Sequence, residues 1–402
     1  MAELHLLSPV GFRANGVSAG IKSKNVPDVG LLVCQTIAAA GAVFTTNKVF
    51  AAPVKVGREH IHAGKIRGVV VNSGCANACT GKQGEKDALE MCQLAATEVE
   101  ADAHQFLPSS TGIIGHLLPM DKIRTGIHKA AAGLGNSAEH AELFGRSIMT
   151  TDLKRKHAAV EFKMGKEKVI IAGACKGSGM IGPRLAVPHA TMLAYLTTDA
   201  QVSPMILRKL TQDAANLSFN NVTIDDQAST NDTFVILSSG AGGAKVIVDK
   251  DVKTFAAALN ELCKGLAYQI AADGEGATRV IEVIVRNAKS DDSGRIIARS
   301  IANSPLVKCA VNGNDPNWGR ILCAAGMTGE QFDPEKAVLK LQDTVVFRAG
   351  RPAEFDAAAA SKSMKADKVV IDLDCKLGKN ASTVWTCDLS KEYVSINADY
   401  HT

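Results

Sequence analysis

A threonine at position 191 follows Ala190 in "GPRLAVPHATMLAYLTTDA", residues 182–200, between a proline-rich loop and an apolar run. Inside a chain a threonine hydroxyl is a weak nucleophile. At a chain's own N-terminus it is activated by its α-amine, whose pKa of about 8 suits a base at neutral pH. Thr191 reaches that state if its hydroxyl attacks the Ala190 carbonyl and water hydrolyses the resulting ester, leaving residues 1–190 and 191–402 as separate chains. The small Ala190 and the glycine-rich approach "KGSGMIG" permit the strained peptide such an attack needs. The competing reading is a loop threonine that caps the element after it.

Acyl transfer also needs donors for an oxyanion. "SSTGIIG" offers the Thr111 hydroxyl and the Gly112 N–H as adjacent donors on a tight turn. The same residues read equally as a serine/threonine turn leading toward a helix. In "DGEGATR" two glycines flank Glu275, so backbone can approach closely and the carboxylate can orient a substrate amine or move a proton. A solvated glutamate at a helix's C-terminal turn is the alternative. "KGSGMIG" places Lys176 ahead of its glycines and lacks the spacing of a phosphate loop. "NGNDPNWGR" reads as a turn that sends Trp318 into a core and Arg320 into an ion pair.

These residues need a framework. The chain has 402 residues, beyond the roughly 250 to 300 at which single cores stop growing, so two or three lobes are expected. Hydrophobic residues make up 46% and charged residues 21%, which suits a globular enzyme and excludes a disordered or coiled-coil chain. The net charge of +4 is spread out, so no nucleic-acid partner is expected. No run approaches the roughly 18 apolar residues of a membrane span, and the first residues lack a signal-peptide pattern, so a cytoplasmic protein without a membrane partner is expected. The 10 cysteines lie mostly in apolar runs, as reduced core cysteines do. Cys75 and Cys79 are close together, but no histidine pair stands near them at ligand spacing, so no metal or cofactor is expected.

Along the chain, "VGLLVCQTI", "GAVFTTN", "PVKVG" and "IRGVVVNSG" read as strands, and Ala88 to Val99 follow helical spacing. "FLPSSTGIIG" reads as a loop and "MDKIRTGIHKAAAGL" as a helix. A hairpin turning at Met164-Gly165-Lys166 runs into the glycine loop, and a helix opens at Ser203-Pro204. Strands "DTFVILSSG", "AKVIVD" and "RVIEVIVRNA" surround a long amphipathic helix. The last third gives helices "DSGRIIARSIAN" and "NWGRILCAAGM" and strands "LVKCAVNG", "VLKLQDTVVF", "KVVIDLDC" and "STVWTCDL". Strands and helices alternate without strict βαβ units. That is an α/β (α+β) architecture of layered sheets and helices, with a lobe boundary expected near 287–294.

Taken together, "KGSGMI…P…ATMLAYLTTDA", "SFNNVTIDDQASTNDT", "GEGATR", "DPNWGRIL" and the ending "YVSINADYHT" resemble the ornithine acetyltransferases, or glutamate N-acetyltransferases, of arginine biosynthesis. "GFRANGVSAGIK", "VFTTN" and "VVVNSGCANACTG" match too, so the resemblance covers essentially the whole chain in order. It implies that family's fold, with an N-terminal threonine nucleophile and a smaller C-terminal lobe, and a precursor that cleaves at Ala190-Thr191. The fragments 1–190 and 191–402 would stay together as a heterotetramer, two of each. Thr191 would take acetyl from N-acetylornithine, release ornithine and pass acetyl to glutamate, giving N-acetylglutamate by ping-pong chemistry. Acetyl-CoA is a conceivable second donor, with no cofactor bound.

Residue by residue, the resemblance gives Thr111 and Gly112 as the oxyanion pair. It gives Thr150 or Thr151, Lys176, Glu275, Asn397 and Thr402 as substrate contacts, Lys176 for a carboxylate and Glu275 for an ammonium. The chain departs from the family at three places. Four extra residues lengthen the loop from Pro183 to Thr191, with His189 where methionine is usual; "IDDQASTNDT" replaces "VDGDTSTNDT"; and Cys75 stands where asparagine is usual. An aminopeptidase or amidase using the same threonine is the second enzyme class, and an uncut binding protein the non-enzymatic one.

Overall fold

The computed structural model describes residues 3–182, 192–246 and 248–399. The chain divides into a first unit of residues 1–220 and 228–266 and a second of residues 221–227 and 267–401. Residues 287–294 fall inside the second unit.

The first unit is organised by one long strand, β2 (Val29–Phe44), where the sequence suggests two. β1 (Phe12–Val17) pairs with its first half, and β3 (Lys65–Cys75) continues antiparallel on its other edge. Between Val33 and Ala38 the register to β3 shifts, with Gln35, Thr36 and Ile37 exposed, and an insertion of this kind bends a strand. β4 (Phe106–Ile113) lies parallel to β3. The second half of β2 pairs instead with β9 (Thr233–Ser238), beyond which come β7 (Leu193–Thr198), β6 (Glu167–Lys176) and β5 (Lys156–Met164). Short β8 (Gln201–Val202) and β10 (Lys245–Val246) form a separate pair.

Alternation along the strands sorts the side chains into layers. Leu32, Val69, Val71 and Leu107 share one buried cluster with Leu193, Tyr195, Val235 and Leu237, so the two halves pack face to face. The intervening Leu31, Val33 and Val70 point the other way, into a cluster with α2 (Gly81–Thr97) and α3 (Met120–Ala132). α4 (Ala138–Ser147) packs on β1, and α5 (Pro204–Leu217), capped by Ser203, packs on β2. α6 (Asp249–Ala272) sets Phe255 edge-on to Phe162 of β5 at 6.2 Å.

Two segments of this unit differ from their sequence reading. "PVKVG" lies in helix α1 (Ala52–His60), not a strand: Pro53 suits a first turn, where its missing N–H is not needed, and burial of one face overrides the preference of two valines. "FLPSSTGIIG" is not a loop but β4, buried from Phe106 to Thr111, so its small hydroxyls point into packed interior.

The second unit holds β11 (Val280–Ala288), β12 (Val338–Leu341), β13 (Thr344–Arg348), β14 (Arg351–Pro352), β15 (Lys368–Asp374) and β16 (Asn380–Cys387). They form one sheet in the order β14-β13-β12-β15-β11-β16. α7 (Asp291–Asn303), α8 (Pro305–Asn312) and α9 (Trp318–Gly326) share its main buried cluster, and α10 (Ala357–Ser363) and α11 (Lys391–Asp399) complete the unit. "LVKCAVNG" is helix α8, not a strand, because Ser304 caps the Val307 N–H and Pro305 fixes the first turn. Trp318 stacks on Phe347 at 5.7 Å as a core residue would, but Arg320 donates to the Leu306 carbonyl at 3.0 Å and joins no ion pair among the described residues. Seven of the ten cysteines are buried and all are free thiols, while Cys79, Cys309 and Cys323 are exposed.

Candidate active site

The register of the first unit gathers chemistry at the head of β7. Leu193 pairs with Lys176 of β6 on one side and with Thr233 of β9 on the other, and the Met192 carbonyl accepts from the Thr233 N–H at 2.6 Å. Lys176, Met192 and Asp232 therefore meet at one sheet end. Ala190 and Thr191, just before Met192, lie outside the described residues, as does Thr402.

A buried amide joins this end to the oxyanion candidates. Asn231, 6% exposed, donates from Nδ2 to the Ser110 carbonyl at 2.9 Å and to the Ala76 carbonyl. Ser110 Oγ donates to Asn72 Oδ1 at 2.6 Å, and Asn72 Nδ2 donates to the Cys75 carbonyl at 2.9 Å. Thr111 and Gly112 follow directly at the end of β4, opposite Ser73 and Gly74, so the two stand on a strand end and not on the tight turn of the sequence reading. Gly112 has φ +129°, and a Cβ there would lie 2.4 Å from the Gly74 carbonyl carbon. Cys75, beside this contact, is buried and donates from Sγ to the His116 carbonyl at 3.3 Å. Burial pushes its thiol up, which makes it an inert packing group.

The turn carrying Thr150 and Thr151 is fixed by Asp152. Asp152 Oδ2 accepts from the Thr150 N–H at 3.1 Å, and Oδ1 accepts from the Gly177 N–H at 2.7 Å and from Lys156 Nζ at 2.6 Å. Both members of that ion pair are buried. Burial pushes the Asp152 carboxyl up, but the Lys156 and Lys176 ammonium groups and the hydrogen bonds outweigh it and hold it below the usual value. Nearby, Lys22 Nζ donates to the Pro27 and Met149 carbonyls at 2.9 and 2.8 Å, and burial pulls its amine down to about 8.

Asp232 behaves in the opposite way. It is buried, accepts from Ser229 Oγ at 2.6 Å through Oδ1, and makes no hydrogen bond through Oδ2. Burial pushes its carboxyl well up, and the Ser229 hydroxyl and the Lys176 charge oppose this only in part. An acid with a folded-state pKa above its unfolded value holds more protons folded than unfolded between the two, so stability falls as pH rises through that window. Asp232→Asn is therefore expected to raise Tm at pH 8, with the gain shrinking as pH falls toward about 4, the unfolded carboxyl value. Thermal melts of both proteins across pH check it; a Tm below wild type at pH 8 contradicts it.

In the second unit Glu275 and Asn397 come together. Glu275 is 8% exposed, which removes the solvated-glutamate reading, and its Oε2 accepts from Asn397 Nδ2 at 2.9 Å. Gly276, at φ +67°, lets α11 dock on the turn: a Cβ there would lie 2.4 Å from the Tyr393 nitrogen, and Ser390 Oγ donates to the Gly276 carbonyl at 2.6 Å. The sequence reading missed Asp152, Asn231 and Asp232. Their signal was present, because all three stand inside the strings "MTTD" and "STND".

Among the described residues no group of three or more His, Cys, Asp or Glu is placed to hold a metal, and no helix is long and apolar enough to cross a membrane. The ArgJ family model matches residues 13–402. The arginine biosynthesis bifunctional protein ArgJ of Lactococcus lactis subsp. lactis strain IL1403 is 43% identical over 397 residues, 98% of both chains. The protein of that name from Symbiobacterium thermophilum is 44% identical over 399 residues, again 98% of both. A solved ornithine acetyltransferase from Mycobacterium tuberculosis, complexed with ornithine, is 34% identical and covers 45% of this chain and 96% of its own, with a TM-score of 0.41. A family match along nearly the whole length, joined to relatives above 40% identity end to end, means that the chain belongs to the ArgJ family.

Proposed function

We propose that this chain is an acetyltransferase of arginine biosynthesis that moves acetyl from N2-acetyl-L-ornithine to L-glutamate through an ester on Thr191. Cleavage at Ala190-Thr191 generates the nucleophile, and the fragments 1–190 and 191–402 remain together, two of each. The observation that carries this reading is where β7 begins. Its first residue, Leu193, comes two after Thr191 and beside Lys176, and the neighbouring strand β9 is tied by Asn231 to the residue before Thr111.

In the first half-reaction the Thr191 hydroxyl attacks the acetyl carbonyl carbon while its α-amine takes the proton. The Thr111 hydroxyl and Gly112 N–H stabilise the oxyanion. The C–N bond breaks, the proton passes to the departing nitrogen, and ornithine leaves. In the second, the glutamate amine attacks the ester, the proton returns to the threonine oxygen, and N-acetylglutamate is released. Lys176 pairs with the amino-acid carboxylate and Glu275 with the ornithine ammonium, while Thr150 or Thr151, Asn397 and Thr402 complete the contacts. The relatives are called bifunctional, and acetyl-CoA as a second donor would account for that word here.

Intact-mass measurement after incubation with N-acetylornithine tests the reading. Two fragments are expected, with acetyl on the one beginning at Thr191. An uncut, unmodified chain with full transfer activity overturns it. Acetate released at the same rate with and without glutamate would favour an amidase instead.

A further inference from the structure

Three donors from separate points along the chain converge on one carboxylate. The Asp152 oxygens accept from the Thr150 N–H, from Lys156 Nζ and from the Gly177 N–H, 25 residues further along. We propose that Asp152 is a positioning residue for the acyl-donor site, clamping the turn that carries Thr150 and Thr151 to the Lys176–Gly177 end of β6. This rests on the reading that Lys176 and those threonines contact an amino-acid substrate.

The pair with Lys156 does not by itself explain the arrangement. A buried ion pair stabilises a fold no better than well-packed apolar side chains of similar volume. An i,i+4 pair would also satisfy itself within its own segment. The third bond reaches outside that segment, to the N–H directly after Lys176, and the first holds the turn at Thr150. Loss of the carboxylate leaves two backbone amides without their acceptor and frees the hydroxyl turn from the lysine. Because Lys176 is assigned to the substrate's unreacting carboxylate, its displacement weakens ground state and transition state alike, and that raises KM more than it lowers kcat.

Amide hydrogen exchange on the wild-type protein gives the first test: the Thr150 and Gly177 N–H groups are expected to be protected, and rapid exchange at both overturns the clamp. Asp152→Asn alone strands a buried lysine, so it is combined with Lys156→Met, which removes both charges. The remaining amide oxygen cannot serve both backbone donors as the carboxylate does. In this double variant, exchange at one or both amides is expected to accelerate by about tenfold or more. KM for N-acetylornithine is expected to rise about tenfold with kcat within about threefold. Unchanged exchange overturns the clamp; faster exchange with a wild-type KM overturns the positioning role; a fall in active fraction at constant KM marks a purely structural pair and also overturns it. A wild-type protein that transfers no acetyl refutes the proposed function, while the exchange data still decide the clamp.

Discussion

Thr191→Ala is expected to leave one chain of 402 residues that transfers no acetyl. The hydroxyl enters twice in the proposed chemistry: it attacks Ala190 to cut the chain, and the freed residue then carries the acetyl ester. Alanine removes both steps, because it has no hydroxyl to attack either carbonyl. The residual transfer rate should lie below about one thousandth of wild type. Thr191→Ser keeps an N-terminal hydroxyl and should restore both cleavage and transfer. Denaturing electrophoresis separates one band from two, and coupled detection of ornithine follows transfer. An alanine variant that transfers normally removes Thr191 from the mechanism, whatever its cleavage state.

Gly112→Ala carries the next largest effect. The backbone at Gly112 has φ +129°, which a side chain tolerates poorly. The new Cβ would also meet the Gly74 carbonyl carbon at 2.4 Å and the Cys75 nitrogen at 2.7 Å, both rigid backbone. Relief requires the end of β4 to part from β3, and that shift carries the Gly112 N–H away from any oxyanion it serves. Strain and contact together should cost about 3 kcal/mol or more, with Tm lower by about 4 °C or more. A lost oxyanion donor should lower kcat by about a hundredfold to a thousandfold. Thr111→Val separates the two effects, because it keeps the shape and deletes the hydroxyl: kcat should fall by about a hundredfold with little change in Tm. A Gly112→Ala enzyme with lower Tm and wild-type kcat would show that this N–H is not a donor.

Much of the framework could be read from periodicity and punctuation. The hairpin through Met164-Gly165-Lys166 and the helix opened by Ser203-Pro204 stand where the sequence put them, since turn glycine and cap serine act locally. Local signals misled where tertiary packing decides. The valines of "PVKVG" belong to a helix because one face is buried, and the hydroxyls of "FLPSSTGIIG" look like a loop but pack inside a sheet. "LVKCAVNG" follows the same serine-proline opening as α5, a local helix signal that outweighs the strand preference of its valines. In the candidate site, the groups proposed to react or to bind stood out by residue type and by the family resemblance. The supporting parts played by Asp152 and Asn231 did not, because each bonds a backbone group distant in sequence: the Gly177 N–H, 25 residues from Asp152, and a carbonyl 121 residues from Asn231.

The strand order of the first unit also bears on what cutting the chain would mean. β9 and β7 come from beyond residue 191, yet they lie between β2 and β6, which come from before it. A cut at Ala190-Thr191 thus divides the polypeptide without dividing the sheet. In the first unit the strands of each product pair with those of the other, so neither fragment owns that unit's whole sheet and parting them breaks the β2–β9 and β6–β7 pairings. Scission there would leave those interstrand pairings in place, so the two resulting chains would stay joined through one sheet.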